Sequence, residues 1–404
     1  MKGITYLQNK LIMKRTRGLL RYKFYEQKQQ AMDFGISTPA GLEWFGTING
    51  WCTKAVDALA DRIQFDGFKN DNFMMQEMFD LNNPDIIFDN GILSSMITAC
   101  CFVYVSRGED GMPRFQVIDG TNGTGVIDDI TELLTEGYAV LERDEYDEVK
   151  KYAYFIPGHT YVYEVGNPKP IAEEVTNADY CTLVPIIYRP DAKRPFGHSR
   201  ISRACMDYAK SAMRTIKRSE ISAEFYSFPQ KYATGLAQDA QQMDSWKATM
   251  SAMLSFTKDE DGDKSTLGQF QVGSMTPHMD QLKGLASLFA GETGLTLDDL
   301  GFVTSNPSSA EAIKAAHENL RLAAAKAQRC FGVGFINTGY IGACIRDRIA
   351  YKRSEVYQTK VLWKPTFEPD MSALSTAGDG LIKISQAIPG YITEERVHRL
   401  TGIE

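Results

Sequence analysis

Residues 305–329 read SNPSSAEAIKAAHENLRLAAAKAQR, and this stretch sets the character of the whole chain. Ser308 and Glu311 stand at the S-x-x-E spacing of a capping box, directly after Asn306-Pro307. In such a box a hydroxyl and a carboxylate satisfy the orphan backbone donors of a helix start. The alanine-rich run behind them predicts a helix from 309 to about 350. Gly332, Gly334, Gly339 and Gly342 fall inside it. Interior glycine costs about 1 kcal/mol relative to alanine, so a bend is expected there. A helix beyond about 25 residues belongs more readily to a bundle, repeat or large assembly than to a compact enzyme core.

Working outward, residues 199–226 contain neither Pro nor Gly. They predict a helix of roughly 42 Å at 1.5 Å per residue, with Ser199 as its N-cap and Phe228-Pro229 as its stop. Arg203, Lys210, Arg214 and Lys217 recur at helical spacing, so one face of it is basic. Residues 230–275 read as irregular: a short strand, a polar helix around Trp246, and an acidic turn at 258–264. Helix returns over 277–293 and stops at Gly294. Earlier, 51–63 carries apolar residues every three to four positions, the amphipathic helix pattern. QFDGF (64–68) breaks it, a second helix follows to about 82, and Asn82-Asn83-Pro84 starts a third.

Between 97 and 190 the pattern switches to short β-branched and aromatic runs at 102–105, 115–118, 138–141, 151–156, 160–165 and 184–188, with Gly- and Pro-bearing turns between them. They predict an antiparallel sheet with a short helix near 128–136. Another strand-like run at 356–363 and one or two terminal helices complete an α+β chain.

The 404 residues are 43% hydrophobic and 24% charged, with net charge -7, and the pI is about 5.5. Such a composition is that of a folded globular chain and not of a basic nucleic-acid binder. No apolar run reaches the roughly 18 residues of a membrane span, and no secretion signal is read at the N-terminus. Charge is unevenly spread: the first thirty residues hold eight Lys or Arg against one acid, Glu26. They read either as a solvated basic helix or as a docking arm for a neighbouring subunit or acidic partner. The seven cysteines are scattered, never C-x-x-C, and read as structural thiols.

Catalytic motifs are missing. No G-x-x-x-x-G-K-[ST] cradles a triphosphate. Gly123-Thr-Gly125 begins a G-x-G-x-x-G, but Asp128 occupies the third glycine position, and a hairpin turn is the better reading. The acidic turn lacks the glycine and final glutamate of a calcium loop. Gly197-His198-Ser199 lacks the second glycine of a nucleophile elbow. The five histidines form no H-x-x-x-H pair. Neither catalytic residues nor a metal or cofactor are expected, and the weight falls on assembly or binding.

The chain resembles the bacteriophage portal protein, the ring at one capsid vertex through which DNA enters and leaves. Four segments carry the likeness: 51–68, the RPFGHSRI run at 194–201, GLTLDDLGFVTSNPSSAEAI at 294–313, and WKPTFEPD at 363–370 with its helical tail. The resemblance implies an N-terminal arm and wing (1–198), a first stem helix (199–227), a clip (228–276) and a second stem helix (277–295). A tunnel loop (296–309) and a long wing helix with a C-terminal wing and small crown (310–404) follow. It implies a ring, usually of twelve subunits, around double-stranded DNA. Partners would be the terminase large subunit, major capsid and scaffolding proteins, and the head–tail adaptor, with no membrane. The protein would sit in the virion at the portal vertex, and in the host cytoplasm during assembly.

On that reading Thr296, Leu297, Asp298, Asp299, Phe302, Thr304, Ser305 and Asn306 would project towards DNA. Lys210, Arg214, Lys217, Lys314 and Arg321 are candidates for basic rings in an otherwise acidic or neutral bore, the alternative being salt bridges to the next subunit. Two other readings stay open. One is a soluble α+β hydrolase using unpaired carboxylates or His198, and the other a different ring-forming head–tail protein.

Overall fold

A computed structural model describes residues 1–32, 34, 38, 41–42, 44–227, 231–234, 266–269, 273–302, 310–366, 371–388, 390, 393 and 397. The chain is α+β, mixing helices with antiparallel strands, and packs as two compact units. The first comprises 1–28, 50–206 and 291–404; the second comprises 29–49 and 207–290. The second unit thus joins the described residues of 29–49 to those of 207–290.

In chain order the elements begin with helix α1 (Ile4–Tyr25), α2 (Trp51–Ala60), strand β1 (Phe65–Lys69), α3 (Met75–Asp80) and α4 (Pro84–Thr98). Strands β2 (Cys100–Arg107), β3 (Pro113–Ile118), β4 (Gly123–Ile127), β5 (Leu134–Arg143), β6 (Val149–Ile156), β7 (His159–Glu164), β8 (Ala172–Val175) and β9 (Leu183–Ile187) follow. Then come α5 (Arg203–Ser227), β10 (Lys231–Thr234), β11 (Thr266–Gln269) and α6 (Thr276–Thr293). The chain closes with α7 (Ala310–Ala316), α8 (Glu318–Asp347), β12 (Lys360–Trp363) and α9 (Met371–Ala387).

All six expected strands of 97–190 form, but they divide between a three-stranded sheet, β3-β2-β9, and a five-stranded one, β4-β5-β6-β7-β8. Alternation along β2 explains how they stack. Cys100, Phe102 and Tyr104 pack on Leu134, Ala139 and Phe155 of the larger sheet. Cys101, on the opposite face, lies against Ser95 and Gly91 of α4. On β5, Ala139 faces the smaller sheet while Tyr138 and Val140 face Leu7 and Leu11 of α1. α1 also reaches α4, where Tyr22 Oη donates to Ser94 Oγ at 3.4 Å.

Several local expectations give way to tertiary facts. No helix forms near 128–136: the Asp128 carboxylate caps its own turn by accepting from Thr131 N and Oγ1. Glu132 there has φ 59, and β5 begins at Leu134. Gly123-Thr-Gly125 is a strand and not a turn, its glycines making room for neighbours. A Cβ on Gly123 would stand 2.3 Å from the Phe102 ring. QFDGF is not a mere breaker but strand β1, paired antiparallel with β12.

The long C-terminal helix breaks at His317, between α7 and α8, and continues as helix through its four glycines. Gly334, Gly339 and Gly342 are points of close approach. A Cβ on Gly334 would meet Ile186 Cδ1 at 2.7 Å and the Pro185 carbonyl at 3.1 Å, and one on Gly339 would meet Met75 Sδ at 2.6 Å. On α8, Phe335 joins Phe88, Phe79, Phe65 and Trp363 in an aromatic cluster, with the Phe88 ring centroid 4.1 Å from that of Phe335 and 3.8 Å from that of Phe65. That cluster holds the β1–β12 pair on the core.

The first long helix starts at Arg203 and not at 199. Ser202 Oγ accepts from Cys205 N at 3.2 Å and is the cap; Ser199 Oγ instead donates to Ile97 O at 2.7 Å. Among the described residues no helix is long and apolar enough to cross a membrane. Six of the seven cysteines are buried; desolvation pushes the Cys100 and Cys344 thiols up to about 11.

Candidate functional site

Of the expected loop 296–309, the described part, 296–302, is held at its base. Thr296 and Asp299 form a reciprocal turn: Thr296 N and Oγ1 both donate to Asp299 Oδ2 at 2.9 Å, and Asp299 N donates to Thr296 Oγ1 at 3.2 Å. Leu295 and Leu300 are buried on either side, and Gly301 closes the turn with φ 89. Asp299 also lies 3.7 Å from His317 Nδ1 at the start of α8. Leu297 and Phe302 are half-buried, while Asp298 is exposed. Thr304, Ser305, Asn306 and Ser308 lie outside the described residues, as does the Glu311 side chain. The T-x-x-D spacing at 296–299 is itself a capping signal, legible in the sequence but not read there.

The five basic candidates fall in different surroundings. Arg214 and Lys217 line one cleft of about 80 Å³ with Arg218, Gln30, Phe45 and Thr47, all within the second unit. The Arg214 guanidinium stands 4.8 Å, and that of Arg218 5.7 Å, from the Phe34 ring centroid. Arg214 Nη2 also donates to Ser211 Oγ at 2.9 Å, and Thr47 Oγ1 donates to Met213 O at 2.6 Å. The basic face of α5 is thus partly covered by the segment 29–49. Lys210 is half-buried one turn earlier, and Lys210 and Lys217 are both engaged within the chain.

In the first unit Lys314 is exposed on α7. Arg321, on α8, forms a two-pronged pair with Glu318 at 2.8 and 2.6 Å, and this pairing holds the Glu318 carboxyl below its usual range. The pair lies within one helix, so Arg321 is not an unpaired cation.

The RPFGHSRI run proves to be a junction. Arg200 is 7% exposed; its Nε donates to Ala55 O of α2 at 3.2 Å and its Nη2 to Thr293 O at the end of α6. Ser202 Oγ donates to Glu292 Oε1 at 2.7 Å. One buried guanidinium and one hydroxyl therefore fasten α2, the start of α5 and the end of α6 together. No sequence rule singles out Arg200, because its partners are backbone carbonyls remote in the chain. His198 Nε2 meets Asp191 Oδ2 at 2.5 Å, a dyad in form. The adjacent Ser199 hydroxyl is turned away to Ile97 O, so no serine–histidine relay is assembled there.

No protein-family model matches the chain. Two curated relatives do: a protein of Mycobacterium phage D29 is 21% identical over 94% of this chain and 81% of its own length. A protein of Mycobacterium phage L5 is 21% identical over 92% of this chain and 79% of its own length. Both are portal proteins. Among solved structures, a chain from the virion of a native gene transfer agent particle is similar with TM-score 0.44 at 13% identity, covering 88% of this chain and 90% of that one. A chain from the neck of a native gene transfer agent particle scores 0.45 at 14% identity, with the same coverage.

Proposed function

We infer that this chain is the subunit of a portal ring at a capsid vertex, a channel for packaging and releasing a double-stranded DNA genome. The observation that carries the inference is the match to two phage portal proteins, which spans over nine tenths of this chain and about four fifths of theirs. The geometry suits it. Two long helices, α5 and α6, flank the β10–β11 pair, the layout required of a stem, a clip and a second stem. Assignments of 1–198 to arm and wing, 228–276 to the clip, 296–309 to the tunnel loop and 310–404 to wing and small crown belong to this reading. So does a ring of about twelve subunits closing through heterologous contacts.

The mechanism is passage and gating without covalent chemistry. A duplex must slide, and each Lys or Arg on its phosphates adds counterion-release affinity that slows it. Partial cover of Arg214 and Lys217, and the pairing of Arg321, suit such a bore. The anchored turn 296–301 would fix the base of the tunnel loop. The terminase large subunit would supply ATP hydrolysis from outside, docking at the clip that later receives the head–tail adaptor, while capsid and scaffolding proteins contact the wing.

Negative-stain imaging with native mass tests the reading. Rings with a bore wide enough for a duplex support it, and a closed dimer or tetramer refutes it. Replacing 303–306 by a Gly-Ser linker leaves Leu300 and its turn intact; normal packaging by such rings would remove the loop from the mechanism.

A further inference from the structure

Four of the eight cations in the first thirty residues share one face of α1. At 100° per residue Lys10, Lys14, Arg17 and Arg21 fall within about 60° of one another. Arg15 and Lys28 pair with Asp147 and Glu26, but among the described residues none of these four pairs with a carboxylate. They crowd each other instead. The Lys10 and Lys14 ammoniums stand 4.8 and 4.1 Å from the centroid of the same Phe196 ring. Burial, and then the neighbouring Arg17, Arg194 and Arg203, lower Arg21. Burial, and then the neighbouring Lys14 and Lys2, bring Lys10 down to about 8. Asp191, in the same turn as Arg194, is already engaged by His198 and by the N–H groups of Lys193 and Arg194. Lys10 Nζ donates to Gly125 O at 2.5 Å, and Lys14 and Arg21 are half-buried while Arg17 is exposed, so the face is a concentration of positive charge with no carboxylate bonded to it among the described residues.

Its flank is apolar. Met13, Leu20 and Tyr6 follow within the next about 80° of the helix, and all three are exposed, Met13 by 76%. Phosphates gain nothing from such a border, whereas arginine, methionine and tyrosine beside one another are the composition of a protein interface. The chain itself offers the complement: outside the first thirty residues it has 36 Lys and Arg against 50 Asp and Glu.

We propose that the Lys14–Arg17–Arg21 face of α1 docks on the acidic surface of a second copy of this chain. The contact is heterologous, a basic helix on one copy against acidic residues on the next, and so generates a ring when its rotation closes. It deepens the ring reading and rests on it.

Velocity sedimentation of the full chain and of the Arg17→Glu/Arg21→Glu variant, at about 0.1 M and about 1 M salt, tests it. Arg17 is exposed and Arg21 half-buried, so Arg17→Glu alone, whose melting curve should match wild type, is run beside the double variant. The expected result is that the concentration needed for assembly rises about tenfold or more in the variant, and that salt weakens wild type similarly. Carbodiimide cross-linking of mixed ¹⁴N and ¹⁵N protein gives the second readout, with Lys14 joined to an Asp or Glu peptide of the other isotope. A variant that assembles like wild type, with Lys14 links confined to one isotope, overturns the contact while leaving the ring. A variant that assembles normally but loses duplex DNA binding overturns it in favour of a phosphate surface. A wild-type chain that is monomeric at every concentration overturns both the contact and the ring.

Discussion

Replacing Arg200 by lysine isolates the junction that joins α2, the first turn of α5 and the last turn of α6. The guanidinium serves Ala55 O and Thr293 O at once, from different nitrogens of one planar fork. A lysine ammonium reaches one of these carbonyls and leaves the other without its donor, in a site only 7% exposed. A hydrogen bond to a charged group is worth about 1.5–3 kcal/mol, and an orphaned buried acceptor costs a similar amount. The junction should therefore loosen by about 1.5–3 kcal/mol, roughly 10- to 150-fold in its opening equilibrium. A chain of two compact units need not unfold in one step, so a global melt is the wrong measure. Native-state hydrogen exchange read by mass spectrometry is suited, because it reports local opening. Amides of 51–60 and 288–296 should exchange faster by that factor, while those of the β6–β7 hairpin stay unchanged. Equal protection at 288–296 in wild type and variant would refute the bridging role of Arg200.

Gly334→Ala should destabilise the first unit by about 1–2 kcal/mol, since overpacking against Ile186 and the Pro185 carbonyl outweighs the helix-propensity gain. Gly284→Ala on α6, with nothing within 4 Å of the added methyl, should stabilise by up to about 1 kcal/mol. Thermal shifts of opposite sign check the pair. Ser202→Ala removes both the cap of α5 and the bond to Glu292, a loss of about 1–2 kcal/mol. Ser199→Ala leaves the α5 start unchanged by exchange at 203–206.

Glu136 accepts Lys2 N at 2.7 Å, Gly3 N at 2.6 Å and the Tyr154 hydroxyl at 2.6 Å. Burial pushes its carboxyl up, but these donors and the N-terminal ammonium outweigh burial and hold it below 4.5. A depressed carboxyl stabilises the fold fully above its unfolded value and loses that contribution as pH falls through the folded one. Glu136→Gln should cost about 1–3 kcal/mol at pH 7, and the difference from wild type should vanish as pH drops well below 4.5.

Much of the local structure was legible because its signals are local. Asn83-Pro84 opens α4, Gly294 follows the end of α6, and the strands of 97–190 announce themselves by β-branched and aromatic runs between turns. Helix period and strand alternation need only neighbours a few residues away, so the α+β class and both long helices follow from composition and spacing. The order of segments carried the family likeness in the same way. The rest depended on partners distant in the chain. Phe65–Lys69 is a strand only because Lys360–Trp363 lies beside it, a pairing across nearly 300 residues that no window contains. The need for glycine at 334 and 339 of α8 shows only once Ile186 and Met75 fill the space a methyl would take. Ser202, not Ser199, caps α5 because Ile97 and Met96 claim the earlier hydroxyl. The basic face of α5 meets Phe34, and Arg200 finds carbonyls 145 and 93 residues away. Sequence by itself determines where the backbone is able to form helix or strand; tertiary packing decides which hydrogen-bonding and charged groups are satisfied, because their partners are chosen by burial and not by spacing.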